Sequence, residues 1–138
     1  MFKKSQEELK ALGAHITTAE IKQQPELWES TFGIYQENLS AIKEFVERAR
    51  NLGEGCRTRV VFTGAGTSAY VGDTITPYLR SHGEKGSFEF ASVATTDIVS
   101  DPYGSLDPDD PTVLVSFARS GNSPESLAAV NIARKIVK

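Results

Sequence analysis

Twice in this chain a short run of β-formers breaks into a helical pattern through a turn built of glycine and hydroxyl residues, and that repetition restricts the fold more than any other feature. Arg59-Val60-Val61-Phe62-Thr63 is followed by Gly64-Ala65-Gly66-Thr67-Ser68, and a helical segment from Thr67 to Arg80 opens there. Thr112 to Phe117 is a second such run, with Ala118-Arg119-Ser120-Gly121-Asn122-Ser123 and a helix beginning at Pro124 behind it. Both runs are apolar without alternation, as strands covered on both faces are. Between them, Ser87 to Val93 reads as another strand, with Phe88 and Phe90 on one face. The order β-α-β-loop-β-α predicts an α/β fold: a parallel sheet sandwiched by helices, with right-handed crossovers.

In such a sheet, ligands bind at the carboxyl ends of the strands. Both turns belong to that edge. A helix N-terminus leaves backbone N–H groups without acceptors and carries the positive end of the helix dipole, so it attracts anions, phosphate above all. Gly64 and Gly66 allow the backbone to come close to a ligand. Thr67 and Ser68 add hydroxyl donors, and Ser120, Gly121, Asn122 and Ser123 repeat the arrangement. Two readings compete with a phosphate clamp. The turns can be plain tight turns with ordinary helix caps. Alternatively, Gly64-x-Gly66-x-x-Ala69 satisfies the relaxed dinucleotide fingerprint. That fingerprint wants an acidic residue at the end of the second strand, whereas Glu89 falls in mid-strand and Asp97 in the loop beyond; it also leaves the second turn without a role.

The N-terminal third reads as helix. Thr17-Thr18-Ala19-Glu20 fits a capping box, with Ile16 and Ile21 as its hydrophobic staple. Pro25 then opens a single long helix whose Trp28, Phe32, Tyr35, Leu39, Ile42, Val46 and Ala49 form one apolar stripe, ended by Gly53. It is roughly 40 Å long, and its stripe is expected to pack on the domain or on a second copy. Pro77 is expected to kink or end the helix it sits in. Thr96 is expected to cap a single helical turn through Ile98 and Val99, and Ser123 to cap the last helix with Pro124 at its first position. That last helix, Pro124 to Lys138, carries no cap or closing strand, which reads as a fragment of something longer. The division expected is a helical segment over 1–55 and a ligand-binding domain over 56–138.

Composition narrows the function classes. With 138 residues, 39% hydrophobic and 24% charged, the chain has the make-up of one globular domain. A net charge of −3 offers no basic patch for nucleic acid. No apolar run approaches the roughly 20 residues of a membrane span, and Met1-Phe2-Lys3-Lys4 has no apolar stretch behind it to make a signal peptide. The single cysteine, Cys56, has no internal partner, so a cytoplasmic setting is expected.

Strand-Gly-x-Gly-Thr-Ser-helix, followed some fifty residues later by strand-Ser-Phe-x-x-Ser-Gly-x-Ser-helix, resembles the sugar isomerase (SIS) domain. The wording of Ser116 to Ser126, of Ala94-Thr95-Thr96-Asp97-Ile98-Val99, and of His15 to Trp28 is similar to AgaS-type galactosamine-6-phosphate deaminase/isomerases, formerly named tagatose-6-phosphate ketose/aldose isomerases. The resemblance implies a flavodoxin-like sheet of five parallel strands, of which this chain would hold the first part. It implies a phosphorylated hexose or hexosamine as ligand, isomerase and hydrolase chemistry through an enediol or enolamine, no cofactor or metal, and a homodimer or larger homo-oligomer. In glucosamine-6-phosphate synthase, a relative, residues of these turns hold phosphate; by position these are Thr67, Ser68, Ser120 and Ser123. The relative's serine and glutamine fall on Ala118 and Arg119, so one hydroxyl is lost and a guanidinium either replaces it or points to solvent. The candidate phosphate-binding residues are therefore Gly66, Thr67, Ser68, Arg119, Ser120, Asn122 and Ser123. The general base is expected from outside this stretch. His15, His82 and Cys56 read as surface residues, and Asp97 and Asp101 are the only carboxylates to consider. A non-catalytic sugar-phosphate sensor is the alternative, and a half-domain that assembles with a partner a third reading.

Overall fold

The structure, a computed structural model, describes residues 1–137. The chain divides into two compact units, Met1–Glu44 and one beginning at Phe45.

In the first unit, α1 (Gln6–Ala11) is held by a capping box: Ser5 Oγ accepts from the Glu8 N–H, and the Glu8 carboxylate accepts from the Ser5 N–H at 2.8 Å. That hydrogen bond from the Ser5 backbone is the main reason the Glu8 carboxyl lies below its ordinary value. The box expected at Thr17–Glu20 is not formed. Gly13, at φ 64°, reverses the chain after α1, and α2 (His15–Lys22) has already begun when Thr17 is reached; Ala14 stands at its cap without a side-chain bond. The single long helix is also corrected. It is two helices, α3 (Gln24–Glu37) and α4 (Leu39–Arg50), parted at Asn38. The Asn38 amide donates to the Ile34 carbonyl at 2.8 Å, the oxygen that its own N–H also uses at 3.1 Å. This local competition is how asparagine disturbs a helix. Of the apolar stripe, Ala49 is buried and Leu39 half-buried, while Trp28, Phe32, Tyr35, Ile42 and Val46 are exposed.

The second unit is a three-stranded parallel sheet in the order β2-β1-β3. Strand β1 (Thr58–Gly64) is central; β2 (Phe88–Ser92) pairs with it from Thr58↔Phe88 to Phe62↔Ser92, and β3 (Thr112–Phe117) from Arg59↔Thr112 to Gly64↔Phe117. Alternation along the strands sends Val61 and Leu114 to one face and Phe62 to the other. On the first face Val61, Ala91, Ile98, Leu106, Ala129 and Ala133 form the buried core beneath α6 (Thr95–Ser100), α7 (Pro102–Ser105) and α8 (Pro124–Ile136). Burial of each large side chain here is worth about 1.5–3 kcal/mol. On the second face Phe62 stacks with Phe90 and Phe117 at 6.5 and 6.1 Å, and α5 (Ala69–His82) lies against β1 and β2. Gly72 lets α5 approach: a Cβ there would stand 2.9 Å from Phe62 Cβ.

Pro77 does not end α5, which runs five residues further to His82. Proline removes one backbone bond, and Thr76 and Leu79 on the sheet-facing side keep the helix in place. Helix α6 starts one residue before Thr96, so Thr96 does not cap it. Helix α8 begins as expected, with Ser123 accepting from the Ser126 N–H and Pro124 at the first position. It ends at Ile136, with Val137 already extended; Lys138 lies outside the described residues.

Candidate functional site

The two turns meet. Gly64, the last residue of β1, is in register with Phe117, the last of β3, so both strands release the chain at the same level. A cleft of about 360 Å³ opens there, lined by both turns: Ala65, Thr67 and Ser68 from the first, Phe117 to Gly121 and Ser123 from the second, and Ser126 beyond it.

The first turn is tight. A Cβ on Gly64 would lie 2.5 Å from the Ser68 carbonyl carbon and 2.6 Å from its oxygen, so only glycine fits. Gly66 at φ 55° takes the chain into a 3₁₀ turn over Gly66–Ser68, from which α5 continues. Thr95, fully buried, donates from its hydroxyl to the Gly64 carbonyl at 3.3 Å and ties this turn to the start of α6. Ser68 stands at the α5 cap with helical backbone angles and no capping bond. Its hydroxyl and that of Thr67 therefore have no hydrogen-bond partner among the described residues and face the cleft unspent.

The second turn is looser and binds itself. Gly121 at φ 71° reverses the chain. Ser120 Oγ accepts from the Asn122 N–H at 3.4 Å. Ser123 Oγ caps α8 and donates to Ser126 Oγ at 2.7 Å. Arg119 is exposed, is the one charged residue lining the cleft, and makes no hydrogen bond or ion pair with the described residues. Two helix N-termini, five lining hydroxyls and a guanidinium without a partner among the described residues give the cleft donors suited to an anion.

Five of the seven candidate residues, Thr67, Ser68, Arg119, Ser120 and Ser123, line the cleft; Gly66 and Asn122 shape the turns without lining it. Sequence reasoning did not single out Ser126 and Thr95. Ser126 lies within the serine-rich wording, but its burial depends on tertiary packing; Thr95 looked like loop. The remaining candidates are elsewhere. His82 stacks on Tyr78 with ring centroids 4.5 Å apart, Asp101 accepts from the Gly104 N–H at 3.0 Å, and Cys56 is an exposed free thiol. Neither Asp97 nor His15 lines the cleft.

The SIS domain family model matches residues 55–136. The chain belongs to that family. It is 44% identical over 124 residues to the D-galactosamine-6-phosphate deaminase AgaS of Escherichia coli, and 38% identical over 133 residues to the protein of that name from Shewanella sp. strain ANA-3. These alignments take in 88% and 96% of this chain, and 30% and 33% of the relatives. The crystal structure of tagatose-6-phosphate ketose/aldose isomerase from Escherichia coli matches with a TM-score of 0.78 at 43% identity, over 88% of this chain and 31% of that one. A Clostridium novyi protein, provisionally assigned the same activity, matches with a TM-score of 0.88 at 42% identity, over all of this chain and 34% of its own. The chain thus spans about a third of the length of the curated relatives it matches. Their names give deaminase and isomerase; the hydrolase label expected beside them finds no support there. Among the described residues no helix is long and apolar enough to cross a membrane.

Proposed function

We propose that this chain is the N-terminal part of a sugar-phosphate isomerase/deaminase, and that its cleft holds the phosphate of galactosamine 6-phosphate or tagatose 6-phosphate. The reading takes residues 1–55 as a helical segment and 56–138 as the first part of the sugar-phosphate-binding domain. One observation carries it: both hydroxyl-bearing turns line a single cleft at the carboxyl edge of the sheet. The relatives' names support the substrate class.

The reaction moves a proton between C1 and C2 of the sugar phosphate through an enediol, or through an enolamine when the amine is lost as ammonia. Thr67, Ser68, Ser120 and Ser123 would receive the phosphate oxygens, with Arg119 offering a charged donor. Holding the phosphate fixes the distance from it to C1 and C2, which is what a proton transfer needs most. The general base is not assigned to any residue of this chain, since among the described residues no carboxylate or imidazole lines the cleft. A homodimer or larger homo-oligomer, working in the cytoplasm, completes the reading; the exposed apolar residues of α3 and α4 support the former.

A thermal-shift panel tests it. Galactosamine 6-phosphate is expected to raise the melting temperature of the 138-residue chain, since a ligand bound only to the folded state stabilises it, and galactosamine is not. The same polypeptide is expected to release no ammonia. Equal response to both sugars would refute the clamp, and turnover would refute the missing base.

A further inference from the structure

Arg50, Arg57, Arg59 and Arg80 are each held by the protein itself. The first two donate to the carboxylates of Glu84 and Glu89, the other two to the carbonyls of Ser105 and Phe90. Arg119 has no such partner among the described residues, and it lines the cleft. The other described residues lining that cleft are serines, a threonine, alanines, a glycine and Phe117, so none of them carries a charge. Two carboxylates belong to helix starts in the same unit, Glu125 in the first turn of α8 and Asp97 in that of α6. Both are exposed and stand outside the lining, where water and salt weaken their reach.

Uncharged donors count oxygens more than they read charge. A sulfate ester and a phosphate ester each present three terminal oxygens in a tetrahedral array, so hydroxyls and N–H groups find the same acceptors on either. The two differ in charge: the sulfate ester carries one negative charge, while the phosphate ester approaches two at neutral pH, its second pKa being about 6. We propose that Arg119 is the residue that makes this cleft choose a doubly charged ester over a singly charged one, a phosphorylated sugar over a sulfated one. The inference rests on the reading of the cleft as a sugar-phosphate site. Charge balance supplies the reason. Each helix N-terminus brings roughly half a positive charge, so α5 and α8 together match about one negative charge. The guanidinium, always protonated, raises the site to about two, which is the charge of the phosphate ester. Arg119 is also exposed, so an ester bound beside it keeps part of its hydration, and the second charge costs less to bind than it would in a closed pocket.

The test is a set of calorimetric affinities for galactosamine 6-phosphate and galactosamine 6-sulfate, which share the same amine, with galactosamine as control, on the 138-residue chain and its Arg119 variants. The pH is held about one unit or more above the second phosphate pKa. The unaltered chain is expected to prefer the phosphate ester by about tenfold. R119Q is expected to cut that preference about fivefold, the weight of one unit charge about 4 Å away in water, with the loss falling on the phosphate ester. R119K keeps the charge and loses the planar fork; it is expected to bind both esters more weakly and to retain most of the preference. Melting curves of the unliganded variants check that each is folded. Equal weakening of both esters in R119Q, or weakening of neither, overturns the charge selection and leaves the site reading intact. Loss of the preference in R119K assigns it to the fork instead of the charge and likewise overturns it. Failure of the unaltered chain to distinguish galactosamine 6-phosphate from galactosamine overturns both.

Discussion

The two turns that face each other across the cleft solve the same problem in opposite ways. The first is fixed by its backbone: Gly64 is closed in by the Ser68 carbonyl, and Thr95 holds the Gly64 oxygen from the side. Its Thr67 and Ser68 hydroxyls have no hydrogen-bond partner among the described residues. The second turn is fixed by its side chains: Ser120 holds the Asn122 N–H, and Ser123 holds the Ser126 N–H. Its hydroxyls are engaged in positioning the loop. A site with one half rigid and donor-rich, and one half self-bonded, should lose fold when the first half is altered in its backbone. It should lose affinity when the first half is altered in its side chains, and lose less when the second is.

The largest effect expected follows from crowding the first turn. Gly64→Ala puts a Cβ within 2.5 Å of backbone that cannot yield. It should cost about 3 kcal/mol, the upper end for overpacking, seen in urea unfolding, and should abolish the response to sugar phosphate. A variant melting like the unaltered chain would mean that the first turn is not rigid. Next in size, T67A/S68A should weaken galactosamine 6-phosphate binding about a hundredfold, two charge-assisted hydrogen bonds. S120A, whose Oγ is partly committed to Asn122, should weaken it by about tenfold or less. The reverse order in calorimetry would invert the comparison.

The smallest effect lies away from the cleft. Arg50 donates to both oxygens of Glu84, at 3.0 and 2.8 Å, and pairs with Glu47; Ser87 donates to Glu84 as well. These bonds, Arg50's foremost, hold the Glu84 carboxyl below its ordinary value of 4.5. A depressed carboxyl stabilises the fold above its unfolded pKa, and that contribution fades as pH falls through the lower folded value. Both partners are solvent-exposed enough that the contribution is small. Glu84→Gln should slightly flatten the fall in melting temperature below about pH 4.5 while leaving ligand affinity at neutral pH unchanged. An altered affinity would link this pair to the cleft, contrary to its position.

Legibility in the sequence followed the range of the forces involved. Strands β1 to β3, their parallel order and the Ser123-Pro124 helix start are encoded by local pattern, and the structure places β3 over the expected Thr112–Phe117. The errors came where two local patterns competed or where packing decided. Ser5-x-x-Glu8 and Thr17-x-x-Glu20 spell the same capping box, and only the reversal at Gly13 tells which one caps. Asn38 carries no more weight in sequence than any exposed polar residue, yet its amide parts α3 from α4. Pro77 is tolerated because Thr76 and Leu79 hold the helix on both sides of it. At the site, the hydroxyl turns were readable because glycine and serine at a strand end have a specific chemistry. Ser126 and Thr95 were not, because only the folded chain shows that one is buried at the cleft wall and the other reaches the Gly64 carbonyl.

That both turns grip one phosphate is best tested by titrating the isotope-labelled chain with galactosamine 6-phosphate and following its backbone amide resonances. The amides of residues 65–69 and 119–126 are expected to shift together along one saturation curve, with those around Cys56 and His82 unmoved. Shifts confined to a single turn, or centred elsewhere, would contradict a shared site.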